Sequence, residues 1–171
     1  MIKAQGSALR FFYWETGMEY PVVIAAPFGR LGVRCEDGEL RGLRFLPAGA
    51  VLRPPAPGSL EAEVERQLDA YYADADHAFS VPWRLLGTPY QLRVWQQIAA
   101  IPRGETRRYL DLSRDLASSP RAVGGACGRN PIPIIVPCHR VVASAGLGGF
   151  NQSRGDETLD IKRWLLRHEL G

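Results

Sequence analysis

Apolar and polar positions repeat with two different periods along this chain. From Ala8 to Leu46 the apolar residues fall in short β-branched or aromatic runs: Leu9-Arg10-Phe11-Phe12-Tyr13-Trp14, Val22-Val23-Ile24-Ala25, Leu31-Gly32-Val33-Arg34-Cys35 and Leu40-Arg41-Gly42-Leu43-Arg44-Phe45. Runs of this kind read as strands. Asp37-Gly38, between the last two, is a tight hairpin signal, so a small antiparallel sheet is expected. Pro54-Pro55 and Pro57-Gly58 mark a loop from Pro47 to Ser59. The period then lengthens. Ser59 can cap a helix carrying Leu60, Val64, Leu68, Tyr71 and Tyr72 on one face, with Glu61 and Glu63 well placed in its first turn. That face is expected to pack on the sheet.

Helical spacing governs most of the second half. Phe79-Ser80-Val81-Pro82-Trp83-Arg84-Leu85-Leu86-Gly87 reads as an apolar connection between domains at residues 1–86 and 87–171. Thr88, Pro89 and Gln91 form a capping box that opens a helix. Leu92, Trp95, Ile98 and Ala99 are its expected core stripe, and Ile101-Pro102-Arg103-Gly104 ends it. A second helix is expected from Glu105-Thr106-Arg107-Arg108-Tyr109 to about Leu116. Ser118-Ser119-Pro120 caps a third, from Arg121 to about Gly128, which makes a helix-turn-helix.

That third helix is nearly bare at Ala122, Gly124, Gly125 and Ala126. Each internal glycine costs about 1 kcal/mol against alanine. The residues alone leave two explanations equally weighted. One is close packing against another helix; the other is entry into a groove about 6 Å wide, too narrow for a fully decorated helix. Next comes Asn130-Pro131-Ile132-Pro133-Ile134-Ile135-Val136-Pro137-Cys138-His139-Arg140-Val141-Val142, whose prolines force an extended or turning backbone. The following glycine-rich stretch to Gly155 has no Lys-Ser/Thr ending, so it is a poor phosphate loop. Asp156-Glu157 open a last helix, anchored by Leu159, Ile161, Trp164 and Leu165, with Glu169 near its end.

With 171 residues, 46% of them hydrophobic, the chain can bury a substantial core. No apolar run reaches membrane-spanning length and Met1-Ile2-Lys3-Ala4-Gln5 does not open a signal peptide, so a soluble cytoplasmic protein is expected. Three cysteines without a Cys-x-x-Cys pair argue against a disulfide framework and suit a free thiol. No zinc spacing is present, and no metal or cofactor is expected. Residues 1–86 carry nine Lys and Arg against eleven Asp and Glu, whereas residues 87–171 carry twelve against seven. A phosphate-rich partner is plausible for the positive half, although a solvated basic surface is the commoner meaning.

Cys138 beside His139 is weak evidence by itself, and a lone Pro-Cys-His more often holds a structural cysteine. Neighbours on an extended segment point to opposite faces, so direct contact needs a turn, and a proton would pass more readily through water. A useful nucleophile needs its thiol activated by such a base. The combination Arg121-Ala122-Val123-Gly124-Gly125-Ala126, Gly128-Arg129-Asn130-Pro131 and Pro137-Cys138-His139-Arg140 strongly resembles the O6-alkylguanine-DNA alkyltransferases, and the match runs from about Gly87 to the C-terminus.

The resemblance implies an α+β protein with a ribonuclease-H-like N-terminal sheet and a mostly helical, winged-helix-like DNA-binding domain. It implies DNA repair by irreversible, single-use transfer of a methyl or small alkyl group from guanine O6 to Cys138, with O4-alkylthymine a second candidate substrate. Cys138, His139 and Glu169 match the family's water-bridged relay, Asn130 the asparagine that braces the cysteine, and Tyr109 the tyrosine that serves the departing base. Arg121 matches the arginine that replaces a flipped nucleotide, and Ala122, Gly124, Gly125, Tyr90, Ser118 and Ser144 fall among the implied DNA contacts. Pro133, Val141, Phe150 and Asn151 fall around the implied alkyl pocket. The implied partner is double-stranded DNA with alkylated bases, bound through its minor groove by a monomer. Arg108 departs from the small hydroxyl residue usual before the tyrosine, and the stretch from Phe150 to Asp156 differs from the family pattern. Three other readings compete: a lesion binder without transfer, which Cys138 opposes; a sequence-reading regulator, which the bare helix opposes; and a Cys-His hydrolase.

Overall fold

Antiparallel pairing of three strands, β1 (Val22–Ala26), β2 (Gly29–Glu36) and β3 (Glu39–Leu46), builds the N-terminal sheet in that order. The computed structural model describes residues 19–150 and 155–171; the expected strand at Leu9 to Trp14 lies outside the described residues. The β2–β3 hairpin turns at Asp37 and Gly38, both with positive φ (53° and 74°), which is what its twist-compatible turn demands. Val23, Ile24, Leu31, Val33, Leu40 and Leu43 are buried.

Helix α1 (Leu60–Ala73) starts as the cap signal requires, with the Ala62 N–H donating to Ser59 Oγ at 3.2 Å. Its buried line is Val64, Gln67, Leu68 and Tyr71. Phe28 meets Phe45 and Tyr72 edge-on, joining sheet and helix. One compact unit holds the chain through Tyr72 together with Ser80–Arg84; the other holds Ala73–Phe79 and Leu85–Gly171.

In the second unit, α2 (Pro89–Ala99) opens with the reciprocal capping box of Thr88 and Gln91. Its inward face is Val94, Trp95 and Ile98. The expected stripe is corrected at two places: Leu92 and Ala99 are exposed, because the helix is rotated to put Val94 inside. The next helix is shorter than expected. Arg107–Arg108 form a strand, β4, parallel to β5 (Val141–Val142), and α3 begins only at Tyr109, spanning Tyr109–Asp115. Helix α4 (Pro120–Gly128) is capped by Ser119, whose side chain accepts from the Ala122 N–H. Trp95 Nε1 donates to the Ala126 carbonyl at 2.8 Å and ties α2 to α4.

Helix α5 (Asp156–Leu170) departs from expectation most. Leu165 is fully buried, but Leu159, Ile161 and Trp164 are only partly covered. The innermost line is Lys162, Leu165 and Glu169, which share a face at helical spacing. Two of these three residues carry charge, and an ordinary hydrophobic stripe does not predict that.

Candidate active site

The proline run does not stay extended. It turns through Ile134, at φ 76°, and reaches a short 3-10 helix, Cys138–Arg140. A β-branched residue in the left-handed region is strained by about 1–3 kcal/mol and persists only where its surroundings hold it. Asn130 supplies much of that hold. Its Oδ1 accepts from Ile132 N at 3.0 Å, and its Nδ2 donates to the Val136 carbonyl at 2.7 Å and to Cys138 Sγ at 3.0 Å. One side chain thus fixes the loop and touches the thiol.

The turn also decides the geometry of His139. Cys138 and His139 are both buried, and His139 Nε2 lies 2.8 Å from Glu169 Oε1 on α5. Arg140 grips the same carboxylate, with Nε 2.9 Å from Oε2 and Nη2 2.8 Å from Oε1, and also donates to the Ile101 carbonyl. Burial alone would raise the Glu169 pKa, but the bonds from His139 and Arg140 outweigh it and hold the carboxyl below its usual range. An ionised Glu169 accepts only, so Nε2 carries the imidazole proton and Nδ1 keeps a lone pair. Nδ1 is buried without a hydrogen-bond partner among the described residues. Burial lowers the His139 pKa against the raising influence of Glu169. The imidazole is therefore a neutral base over the physiological range.

Burial likewise pushes the Cys138 thiol well up, and contact with Cys127 adds to this, while the Asn130 bond and the Lys162 charge pull it down. Lys162 is wholly buried, and its ammonium donates to the carbonyls of Val141 (2.7 Å), Leu147 (2.6 Å) and Gly149 (3.1 Å). Its pKa is lowered to about 8 by burial. Tyr109 reaches the same loop, donating from its hydroxyl to the Gly149 carbonyl at 3.2 Å. Gly148 lies against the ring at φ 72°, where a Cβ would come within 2.9 Å of Tyr109 Cε2. Lys162 Nζ sits 5.8 Å from the Tyr109 ring centre and 5.9 Å from that of Phe150.

Cys138, His139, Glu169 and Asn130 are thus drawn into one cluster, and Tyr109, Val141 and Phe150 are linked to it through Lys162. Pro133 is buried inside the proline run. Arg121, Ala122, Gly125 and Ser144 are exposed, and Gly124 is half-buried. Tyr90 and Ser118 are joined hydroxyl to hydroxyl at 2.7 Å. Asn151 lies outside the described residues. Sequence reasoning missed Arg140 and Lys162. Arg140 stood inside the quoted Pro-Cys-His-Arg string, and Lys162 shares a helical face with Glu169 at seven residues' spacing, so both signals were present.

A buried thiol braced by an amide, a buried His-Glu pair and the two short helices α3 and α4 thus belong to one compact unit. Residues 89–171 match the family described as 6-O-methylguanine DNA methyltransferase, DNA binding domain. The chain is 39% identical over 151 residues to a methylated-DNA--protein-cysteine methyltransferase of Mycobacterium tuberculosis, covering 82% of this chain and 91% of that one. A protein of the same name from Archaeoglobus fulgidus is 40% identical over 116 residues, covering 67% and 79%. The crystal structure of Mycobacterium tuberculosis O6-methylguanine methyltransferase superposes with a TM-score of 0.71 at 35% identity, covering 86% of this chain and 90% of that one. The crystal structure of the same organism's OGT in complex with DNA gives 0.71 at 38% identity, covering 86% and 91%. The chain belongs to the methylated-DNA--protein-cysteine methyltransferase family.

Proposed function

We propose that this protein repairs DNA by moving a methyl or small alkyl group from guanine O6 in a duplex to Cys138, once per molecule and without metal or cofactor. The observation that carries the reading is the arrangement of Cys138, Asn130, His139 and Glu169. The Cys138 proton passes through a water to the free lone pair of His139 Nδ1, and the imidazolium is stabilised by Glu169 against Nε2. The thiolate then attacks the alkyl carbon, the C–O6 bond breaks, and guanine leaves. Tyr109 donates a hydrogen bond to the departing base, and Asn130 Nδ2 and the Lys162 charge stabilise the sulfur before transfer. The product is a thioether that water does not cleave. O4-alkylthymine is a second substrate by the same displacement.

The nucleophile is buried, so the base leaves the stack to reach it. Helix α4 favours minor-groove binding over internal packing as the reason for its glycines. A Cβ on Gly125 would meet nothing within 4 Å among the described residues, and one on Gly124 only Tyr109 Cε1 at 3.9 Å. The glycines therefore relieve no crowding within the described fold, whereas the inward side of α4 is Val123, Ala126 and Cys127. In this reading Arg121, Ala122, Gly124, Gly125, Tyr90, Ser118 and Ser144 face DNA, with Arg121 filling the gap left by the base. Pro133, Val141 and Phe150 bound the alkyl pocket. The protein works as a monomer in the cytoplasm, on the nucleoid when bound.

Intact mass after mixing with an O6-methylguanine duplex tests this. A single gain of about 14 Da, mapped to the peptide holding Cys138, is the expected result. Tight binding with no gain in mass would replace it with a lesion sensor. Cys138→Ser should abolish the gain and retain affinity for DNA.

A further inference from the structure

Among the described residues, Cys127 is the buried nucleophilic group near the site that the transfer chemistry leaves without a role. It lies on the last turn of α4, and its thiol is within hydrogen-bonding reach of Cys138 Sγ. Asn130 spans the pair: its backbone N–H donates to the Cys127 carbonyl at 3.1 Å, and its side chain donates to Cys138 Sγ at 3.0 Å. The Lys162 ammonium acts on both sulfurs. Both cysteines are reduced and buried, while Cys35 belongs to the other compact unit. Two thiols within hydrogen-bonding reach are candidates for a disulfide, and the loop they would close is short, so its entropy cost is small.

We propose that Cys127 and Cys138 form an oxidative modification site, closing into a reversible disulfide when a peroxide reaches the nucleophile. The inference rests on the reading of Cys138 as an activated thiol, because the base that readies it for an alkyl carbon readies it equally for a peroxide oxygen. Cys138 sulfur attacks one oxygen of hydrogen peroxide, the O–O bond breaks, and water leaves, giving a sulfenic acid. Cys127 sulfur then attacks Cys138 sulfur; the S–S bond forms, the S–O bond breaks, and hydroxide departs as water with the Cys127 proton. Two thiols are oxidised and one peroxide is reduced to two waters. A single-use protein gains by this, since a sulfenic acid left alone proceeds to the irreversible sulfinic form. The disulfide withholds the thiol from DNA until a reductant returns it.

The test uses the reduced full chain and hydrogen peroxide. Trypsin cuts after Arg121, Arg129 and Arg140, so the two cysteines leave on separate peptides, 122–129 and 130–140. The expected result is these two peptides joined, methyl transfer lost, and activity restored by dithiothreitol. Protein already methylated on Cys138 should form no link. In Cys127→Ser, recovery should fall at least about tenfold, with about 32 Da added to the Cys138 peptide; Cys127→Ala repeats this should the serine variant fold poorly. A gain of about 32 Da on Cys138 in the unsubstituted protein without joined peptides, or equal recovery in both variants, overturns the proposal. Joined peptides with methyl transfer unaffected would keep the dithiol site and remove Cys138 as the alkyl acceptor. Methyl transfer to Cys138 with no link under peroxide would do the reverse.

Discussion

Helices α4 and α5 break the rule of the amphipathic helix in opposite directions. In α1 the rule holds apart from the buried amide of Gln67, with Val64, Leu68 and Tyr71 inside and Arg66 and Asp69 outside. In α4 the inward side is conventional, but the outward side is nearly stripped at Ala122 and Gly125, where solvated polar side chains are the norm. In α5 the outward side is conventional, but the inward line is Lys162, Leu165 and Glu169. Fully buried charges are rare unless paired. One helix gives up side chains where it faces outward, and the other gives up apolarity where it meets the Cys138–Arg140 turn. Each departure costs stability locally, and each falls where the proposed chemistry needs it.

Substitutions that restore convention to either helix test the contrast. The largest effect is expected from Glu169→Gln, which removes the ionised acceptor of His139 and Arg140. Single-turnover methyl transfer should slow by about 10²-fold or more, and thermal stability should fall by about 1–3 kcal/mol as buried donors lose their partner. Duplex affinity should hold; an unchanged transfer rate would remove His139 and Glu169 from the proton path.

Lys162→Met comes next. It leaves three carbonyls without their shared donor and takes a positive charge from beside Cys138, so reaction of the thiol with a small haloacetamide should slow by about tenfold at pH 7. The sign of its effect on stability follows from its depressed pKa. Between about 8, its value in the fold, and the ordinary lysine range, the unfolded chain holds the proton more tightly, so this group makes the fold more stable as pH rises through that window. Burial of the Cys138 thiol acts in the opposite sense over the same range, so the readout is the difference: in urea melts between about pH 7.5 and 10 the original protein should gain stability relative to Lys162→Met as pH rises.

Arg121→Ala should slow repair in duplex DNA by about tenfold and leave reaction with free O6-methylguanine base unchanged, since only the duplex has a gap to fill. Equal losses in both assays would remove the base-replacing role. The smallest effect is the most telling about α4. Gly125→Ala should stabilise the fold by about 0.5–1 kcal/mol, because alanine is the better helix former and nothing crowds the site. Gly125→Leu should be tolerated by the fold yet weaken duplex binding; a melting temperature that drops sharply would restore internal packing as the reason for the glycine.

Those expectations separate what could be read locally from what could not. The Thr88–Gln91 capping box, the Ser59 and Ser119 caps, the Asp37-Gly38 turn and three strand positions were legible because each is decided within a few residues. Leu92 and Ala99 were placed inside and Val94 was not, because spacing says that a helix has an inner face but not how far it is rotated. The Arg107–Arg108 strand was missed because its partner, Val141–Val142, is distant in the chain. The proximity of Glu169 to His139 came from family resemblance, and its sharing with Arg140 from the fold.

The chain alone therefore determined the segments with strong local preferences, the stiffness of the run before Cys138 and the bareness of α4, while the choice of Cys138 as the reactive thiol came from family resemblance. Tertiary structure decided that the run turns into a 3-10 helix, that Asn130 reaches the sulfur, that His139 and Arg140 close on one carboxylate, and that Lys162 is buried against three carbonyls. The physical reason is the range of the forces involved. Caps, turns and proline restrictions act between neighbours in sequence. Desolvation, and the hydrogen bonds that offset it, depend on which distant groups are brought together when water is excluded.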